Sequence, residues 1–120
     1  MTDHLAEFRS FRERMNERIL DQGNLEIRRF FALDSRVYEE GALPVKTKEL
    51  LGLVASLVLR CDDCVSYHVI GCREAGASDE EIFETLSIGL VVGGSITIPH
   101  LRRVVAFLDE LSEGEPPTEG

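Results

Sequence analysis

The segment 50–59 constrains the fold most strongly, because it is apolar at nearly every position. It reads Leu-Leu-Gly-Leu-Val-Ala-Ser-Leu-Val-Leu and follows shortly after Pro44, a residue suited to the start of a helix. A helix that is hydrophobic all round must be buried on most of its sides. The sequence therefore predicts a buried helix from Lys46 to about Arg60.

The rest of the chain shows helical periodicity and no β-type alternation of useful length. The chain is therefore predicted to be all-α with six helices, and the absence of strands argues against a thioredoxin fold. The predicted helices run from Leu5 to near Gly23, from Leu25 to Gly41, from Lys46 to about Arg60, from the cysteine segment to Gly76, from the capping box Ser78–Glu81 to Val92, and from Ser95, Thr97 or Pro99 to Leu111.

The length of the chain limits the number of domains, and its charge limits the partners that it can bind. The 120 residues are expected to form one helical domain over 1–111, with a motif region at 44–111 and a disordered tail over 112–120. A net charge of −9 argues against nucleic acid and anionic membranes as partners. No stretch reaches the roughly 20 apolar residues of a membrane span, and the start lacks a signal pattern. A cytoplasmic protein is expected.

The fifth predicted helix is also too apolar for a simple surface helix. A chain of this length has little interior in which to bury both this helix and the third. The sequence therefore predicts a homo-oligomer, in which Gly89, Gly93, Gly94 and Ser95 would permit close contact between helices. The alternative is that both helices form the core of a monomer.

The stretch Cys61-Asp-Asp-Cys64-Val-Ser-Tyr-His68 opens the fourth helix, with Asp62 or Asp63 as the predicted N-cap. The two thiols are three residues apart, and His68 lies on the same helix face as Cys64. In a cytosolic protein such a pair is redox-active or metal-binding more often than structural. Two thiols and an imidazole are the groups that thiol–disulfide chemistry requires.

Glu49 is the last charge before the apolar run of the third helix. A carboxylate that points into an apolar interior costs several kcal/mol unless it is paired or protonated. From its position alone, the simpler interpretation is a charge at the helix start that faces water. The alternative is a functional group held where it can exchange protons.

Glu49, Cys61 twelve positions later, Cys64 and His68 together resemble the signature of the alkyl hydroperoxidase D-like proteins, a branch of the carboxymuconolactone decarboxylase superfamily. The resemblance extends over 44–111. It implies an all-α trimer or hexamer that reduces peroxides or disulfides through Cys61 and Cys64, with Glu49 and His68 as a proton relay. It requires no metal or organic cofactor, and by analogy the electron donor is a dihydrolipoyl or thioredoxin-like protein.

One position departs from the best-studied branch of that family, which has a histidine where this chain has Asp63. A carboxylate beside a thiol raises its pKa, whereas the positive end of a helix favours the thiolate. We expect Cys64 to be the thiol served by the relay, because His68 lies one helical turn beyond it. Cys61 is then expected to be nearer to solvent, to resolve the intermediate and to meet bulky partners.

Three other functions remain as alternatives. Cys61, Cys64, His68 and Cys72 have the spacing of a zinc site, although on one helix Cys61 and Cys72 would lie about 16 Å apart, and zinc ligands converge within about 2.3 Å of one ion. A three-ligand site of Cys61, Cys64 and His68 remains as an alternative. Cys72 is expected to be a small buried hydrophobe instead. Lactone decarboxylation, as in the namesake enzyme, does not rely on a CxxC pair. The last alternative is a non-enzymatic oligomeric protein.

The two remaining histidines are predicted to carry no chemistry. His4 lies in a terminal segment, and His100 follows Pro99 at a helix start. A ring at such a position packs or caps more often than it reacts.

Overall fold

The computed structural model describes residues 4–114, and all of its regular secondary structure in that range is helical. The predicted all-α fold with six helices is confirmed. The helices are α1 (His4–Gln22), α2 (Leu25–Val37), α3 (Val45–Val58), α4 (Asp62–Glu74), α5 (Asp79–Gly93) and α6 (Ile98–Gly114), with a 3₁₀ turn at Ser95–Thr97 before α6.

The helices group into two compact units, with the boundary between residues 39 and 40. The first unit contains α1 and α2, and none of the described side chains of these two helices is buried. The second unit contains α3 to α6. It holds the buried core and every residue of the predicted site.

In the second unit, α3 packs against α4 and α5, while α4 also packs against α6. Leu53 and Leu57 of α3 are fully buried, but Leu51 and Leu59 are exposed. Within the single chain, the apolar segment 50–59 is therefore only partly buried. The apolar core of this unit is formed by Leu53, Leu57, Val65, Val69, Cys72, Ala77, Ile82, Leu86, Val104, Phe107, Leu108 and Leu111.

The turn between α3 and α4 determines where the first cysteine lies. Arg60 adopts a left-handed conformation (φ 61°), its N–H donates to the Leu57 carbonyl, and the Cys61 N–H donates to the Ser56 carbonyl. This is the Schellman pattern of a helix C-terminus, with Arg60 at the position where glycine is usual. Cys61 then takes an extended conformation and becomes the N-cap of α4. The prediction of Asp62 or Asp63 as N-cap is wrong, because the helix begins one residue earlier than expected.

Helix α5 begins as predicted, with a capping box between Ser78 and Glu81. Ile82 and Leu86 face the core, whereas Ile88, Val91 and Val92 are exposed by 59%, 83% and 68%. An apolar face of α5 is thus left uncovered within the single chain.

The glycines of α5 act within the chain. A Cβ at Gly89 would lie 2.8 Å from Leu57 of α3, and one at Gly93 would collide with Thr97. These two glycines allow close packing against α3 and the 3₁₀ turn, which differs from the predicted contact between copies.

Helix α6 continues to Gly114, three residues into the segment expected to be a disordered tail. The rest of that predicted tail, 115–120, lies outside the described residues. Within 4–114, no helix combines the length and the apolar character needed to cross a membrane.

Candidate active site

Cys61 and Cys64 form a disulfide at the start of α4, with their Cα atoms 5.2 Å apart. Cys64 is exposed and Cys61 is half-buried. The expectation that Cys61 is nearer to solvent is therefore wrong. Cys61 is held in the turn between α3 and α4 as the N-cap, while Cys64, three residues later, lies on the outer side of the first helical turn.

The backbone N–H of Cys64 donates to Sγ of Cys61 at 3.3 Å. The first N–H groups of a helix have no partner within the helix, and together they act as roughly half a positive charge. This environment stabilises negative charge on the sulfur of Cys61 once the disulfide is reduced.

Glu49 and His68 form a buried pair between α3 and α4. Oε2 of Glu49 lies 2.9 Å from Nδ1 of His68, and each side chain is only 10% exposed. The interpretation favoured by position alone, in which Glu49 faces water, is therefore wrong. With Nδ1–H donating to the carboxylate, the lone pair of the neutral ring lies on Nε2.

Two glycines make room for this pair, one on each helix. A Cβ at Gly52 of α3 would lie 2.6 Å from Cε1 of His68, and a Cβ at Gly71 of α4 would collide with the Glu49 carboxylate. Each helix thus lacks a side chain where the opposite helix inserts its polar group. Sequence reasoning missed this role, although Gly52 interrupts an otherwise apolar helix.

The third thiol, Cys72, is fully buried in the core. Burial, and secondarily the negative charge of Glu49, raise the pKa of Cys72 to about 12. The thiol therefore stays protonated at neutral pH, and the prediction of a small buried hydrophobe is confirmed. Of the three cysteines, Cys61 and Cys64 are joined in the disulfide, and Cys72 is the free thiol.

The zinc alternative finds no support in the geometry of the described residues. Between residues 4 and 114, no three His, Cys, Asp or Glu side chains converge on a point that could hold a metal ion. The structure instead pairs Cys61 with Cys64 and Glu49 with His68. His68 follows Cys64 on α4 by one turn, about 6 Å along the helix axis.

A second imidazole–carboxylate contact adjoins the disulfide. Nδ1 of His100, on α6, lies 2.7 Å from Oδ1 of Asp62, and Nη1 of Arg103 lies 3.2 Å from Oδ2 of Asp62. We refer to Asp62, His100 and Arg103 as the Asp62 cluster. From the sequence, His100 was predicted only to pack or cap. The contact with Asp62 could not be predicted, because the two residues are 38 positions apart and no local pattern reveals it.

Comparison with known proteins identifies the relatives of the chain. The family model of the carboxymuconolactone decarboxylase family matches residues 27–107. The uncharacterized protein 4 in the cox locus of Paracoccus denitrificans is 33% identical over 82 residues, covering 68% of this chain and 74% of that protein. An uncharacterized protein of Cupriavidus necator is 30% identical over 74 residues, covering 62% of this chain and 66% of that protein.

Solved structures agree with this assignment. Two crystal structures of one Thermotoga maritima protein are 64% and 63% identical, with TM-scores of 0.87 and 0.86, and each covers 89% of this chain. The matched part makes up 94% of the chain in the first crystal structure and 91% in the second. An involvement of that protein in antioxidative response has been suggested. A carboxymuconolactone decarboxylase family protein of Legionella pneumophila is 25% identical with a TM-score of 0.65, over 92% of this chain and 91% of that one.

We predict that Gly71→Ala displaces the Glu49 carboxylate and destabilises the protein by about 1–3 kcal/mol, the usual cost of overpacking. Alanine is intrinsically better than glycine inside a helix by roughly 1 kcal/mol, so a net loss must come from the collision. Urea unfolding measures the loss, and the ring signals of His68 in an NMR spectrum report the displacement.

Gly41→Ala, in the turn before α3, is the control for adding a Cβ where there is room, because its Cβ would meet only the Lys48 amine at 3.5 Å. If Gly71→Ala left the His68 signals unchanged and kept or raised the stability, the glycine would have no part in placing the pair.

Proposed function

This chain belongs to the carboxymuconolactone decarboxylase family, and on that basis we propose that it is a thiol-dependent oxidoreductase that reduces peroxides or disulfides through Cys61 and Cys64. The observation that carries the proposal is the disulfide at the start of α4, on the same pair of helices as the buried Glu49–His68 contact. The suggested antioxidative role of the Thermotoga protein agrees with it. The reducing cytoplasm is the proposed location.

In the proposed oxidative half-reaction, the Cys64 thiolate attacks the distal oxygen of a peroxide. The O–O bond breaks, a proton is taken up, an alcohol or water leaves, and Cys64 becomes a sulfenic acid. The Cys61 thiolate then attacks this sulfur and releases water after a second protonation. Two thiols are oxidised to one disulfide while the peroxide gains two electrons. The exposure of Cys64 supports this order, since an oxidant reaches it from solvent.

The proposed relay starts from His68. Nε2 accepts the proton of the Cys64 thiol, and Glu49 stabilises the resulting imidazolium through the 2.9 Å contact with Nδ1. Burial of the pair strengthens this contact, because the local dielectric is lower than that of water. Glu49, Cys61, Cys64 and His68 are thus the proposed catalytic residues, with sulfur as the electron carrier and no metal or organic cofactor.

Reduction of the disulfide returns the protein to its starting state. A donor dithiol, such as a dihydrolipoyl or thioredoxin-like protein, attacks the exposed Cys64 sulfur, and Cys61 leaves as a thiolate. The Cys64 N–H stabilises that leaving group. The second donor thiol then releases Cys64 from the mixed disulfide, with the donor oxidised. The exposure of Cys64 supports contact between bulky partners and Cys64, whereas the sequence suggested Cys61.

We also propose that the protein is a homo-oligomer. The support is the apolar face of α5, defined by Ile88, Val91 and Val92, which the single chain leaves exposed. Contiguous exposed apolar surface is uncommon on soluble monomers unless it contacts another protein.

We predict that one equivalent of peroxide removes two of the three thiols of the reduced protein, leaving Cys72. Cys61→Ser should stop at a sulfenic acid on Cys64, while Cys64→Ser should be nearly inert. Thiol titration of the denatured protein and mass spectrometry measure both outcomes. Cys72→Ala is the control and should still lose two thiols. Persistence of all three thiols would rule out the peroxidase form of the proposal, and one tightly bound zinc per chain would rule out both forms.

We predict that His68→Ala slows oxidation of the thiols by about 10²-fold at neutral pH, the usual contribution of a general base. Activity should partly recover above about pH 8.5, where a thiolate forms without a base. Glu49→Gln should cause a smaller loss, since the base remains. Stopped-flow rates as a function of pH test this, with His4→Ala, an exposed histidine of α1, as control. A pH-independent loss would assign His68 a purely structural role.

We predict that sedimentation of the wild-type protein gives a multiple of 13.4 kDa. Val91→Asp should weaken this assembly, because it places a charge in the proposed contact. Ser87→Asp, at an exposed polar position of the same helix, is the matched control and should have less effect. A monomer at micromolar concentration would refute the proposed oligomer.

A further inference from the structure

The Asp62 cluster adjoins the thiol pair through Asp62, the chain neighbour of Cys61. Asp62 is the first residue of α4 and follows Cys61 in the chain. His100 and Arg103, both on α6, approach the two different oxygens of its carboxylate. The two groups also lie close to each other, with Nη1 of Arg103 3.4 Å from Nδ1 of His100. The side chains of Asp62, His100 and Arg103 are 43%, 19% and 60% exposed.

A carboxylate at this position has two opposite electrostatic effects. It stabilises α4, because negative charge at a helix N-terminus interacts favourably with the helix dipole. It also destabilises a thiolate on the adjacent Cys61 by like-charge repulsion. A cation bound to the carboxylate offsets that repulsion. The Asp62 cluster provides such a cation from a different helix.

We propose that Arg103, with His100 orienting the carboxylate, neutralises Asp62 and thereby stabilises the Cys61 thiolate and sets the reduction potential of the Cys61–Cys64 pair. Arg103 and His100 are positioning residues in this proposal, since they act through Asp62. The inference concerns the thiol pair of the proposed function and rests on it. It adds that two residues of α6 control the reduction potential of that pair.

The direction of the effect follows from the form of the reduced pair. Reduction of the disulfide by two glutathione molecules gives the dithiol protein and oxidised glutathione. Any interaction that stabilises the thiolate favours the reduced form and makes the disulfide easier to reduce. Loss of the Arg103 charge leaves Asp62 uncompensated, so the disulfide becomes harder to reduce.

The test is the equilibrium of the full-length protein with glutathione at pH 7, read by thiol trapping and mass spectrometry. Arg103→Gln should lower the equilibrium constant for reduction by about two- to fivefold, the range expected of a partly exposed charge pair. Arg103→Lys, which keeps the charge, should restore most of it. Arg102→Gln removes an equal charge from the neighbouring exposed position and should change the constant less.

A double-mutant cycle separates the proposed route from a general charge effect. In an Asp62→Asn background, Arg103→Gln should have no more effect than Arg102→Gln, because no carboxylate remains to neutralise. In an Asp63→Asn background, its full effect should persist. An Arg103→Gln effect that is absent, equal to that of Arg102→Gln, or undiminished by Asp62→Asn overturns the proposal. Urea unfolding of each oxidised variant checks that the fold is retained.

This equilibrium requires neither peroxide nor the relay. If peroxide leaves the thiols intact while Arg103→Gln still shifts the glutathione equilibrium, the peroxidase function fails and the role of the Asp62 cluster stands. If peroxide oxidises the pair normally and the equilibrium does not shift, the role of the cluster fails alone.

Discussion

The contact between Glu49 and His68 is the interaction on which the site depends. Burying a carboxylate costs several kcal/mol unless a hydrogen-bonded partner compensates it, and here the compensation comes from an imidazole on the adjacent helix at 2.9 Å. The α3–α4 interface is built around this pair, since Gly52 and Gly71 omit the side chains that would occupy its space. The same close approach brings α4, and with it the cysteine pair, to the end of α3.

The turn between these helices determines where the cysteine pair lies. Arg60 adopts a left-handed conformation that costs an L-residue roughly 1–2 kcal/mol. In return, α3 ends with its last carbonyls satisfied and Cys61 starts α4 immediately afterwards. The sulfur of Cys61 thereby accepts a hydrogen bond from the Cys64 N–H, while Cys64 stays exposed. The difference between a half-buried Cys61 and an exposed Cys64 therefore follows from backbone geometry.

The parts of this arrangement that could be predicted are those encoded locally. Helical periodicity gave six helices, and the spacing of Glu49, Cys61, Cys64 and His68 identified the candidate residues together with the family. The N-cap could not be predicted, because it depends on an unfavourable conformation at a non-glycine residue, Arg60. The Asp62 cluster was also beyond sequence reasoning, since it joins residues 38 and 41 positions apart. The exposed face of α5 was anticipated as a burial problem, but the glycines expected there pack inside the chain.

The charges around the site also explain how one chain can keep three thiols in different states. Glu49 faces His68 on one side and contributes to the raised pKa of Cys72 on the other. The same negative charge thus accepts a hydrogen bond from the imidazole and opposes ionisation of the third thiol, whose burial is the larger cause. Cys61 has the opposite environment, because the N-terminus of α4 favours negative charge there. Since only thiolates attack disulfides and peroxides, the raised pKa of Cys72 keeps this thiol out of such reactions at neutral pH, and in the proposed function oxidation falls on the Cys61–Cys64 pair.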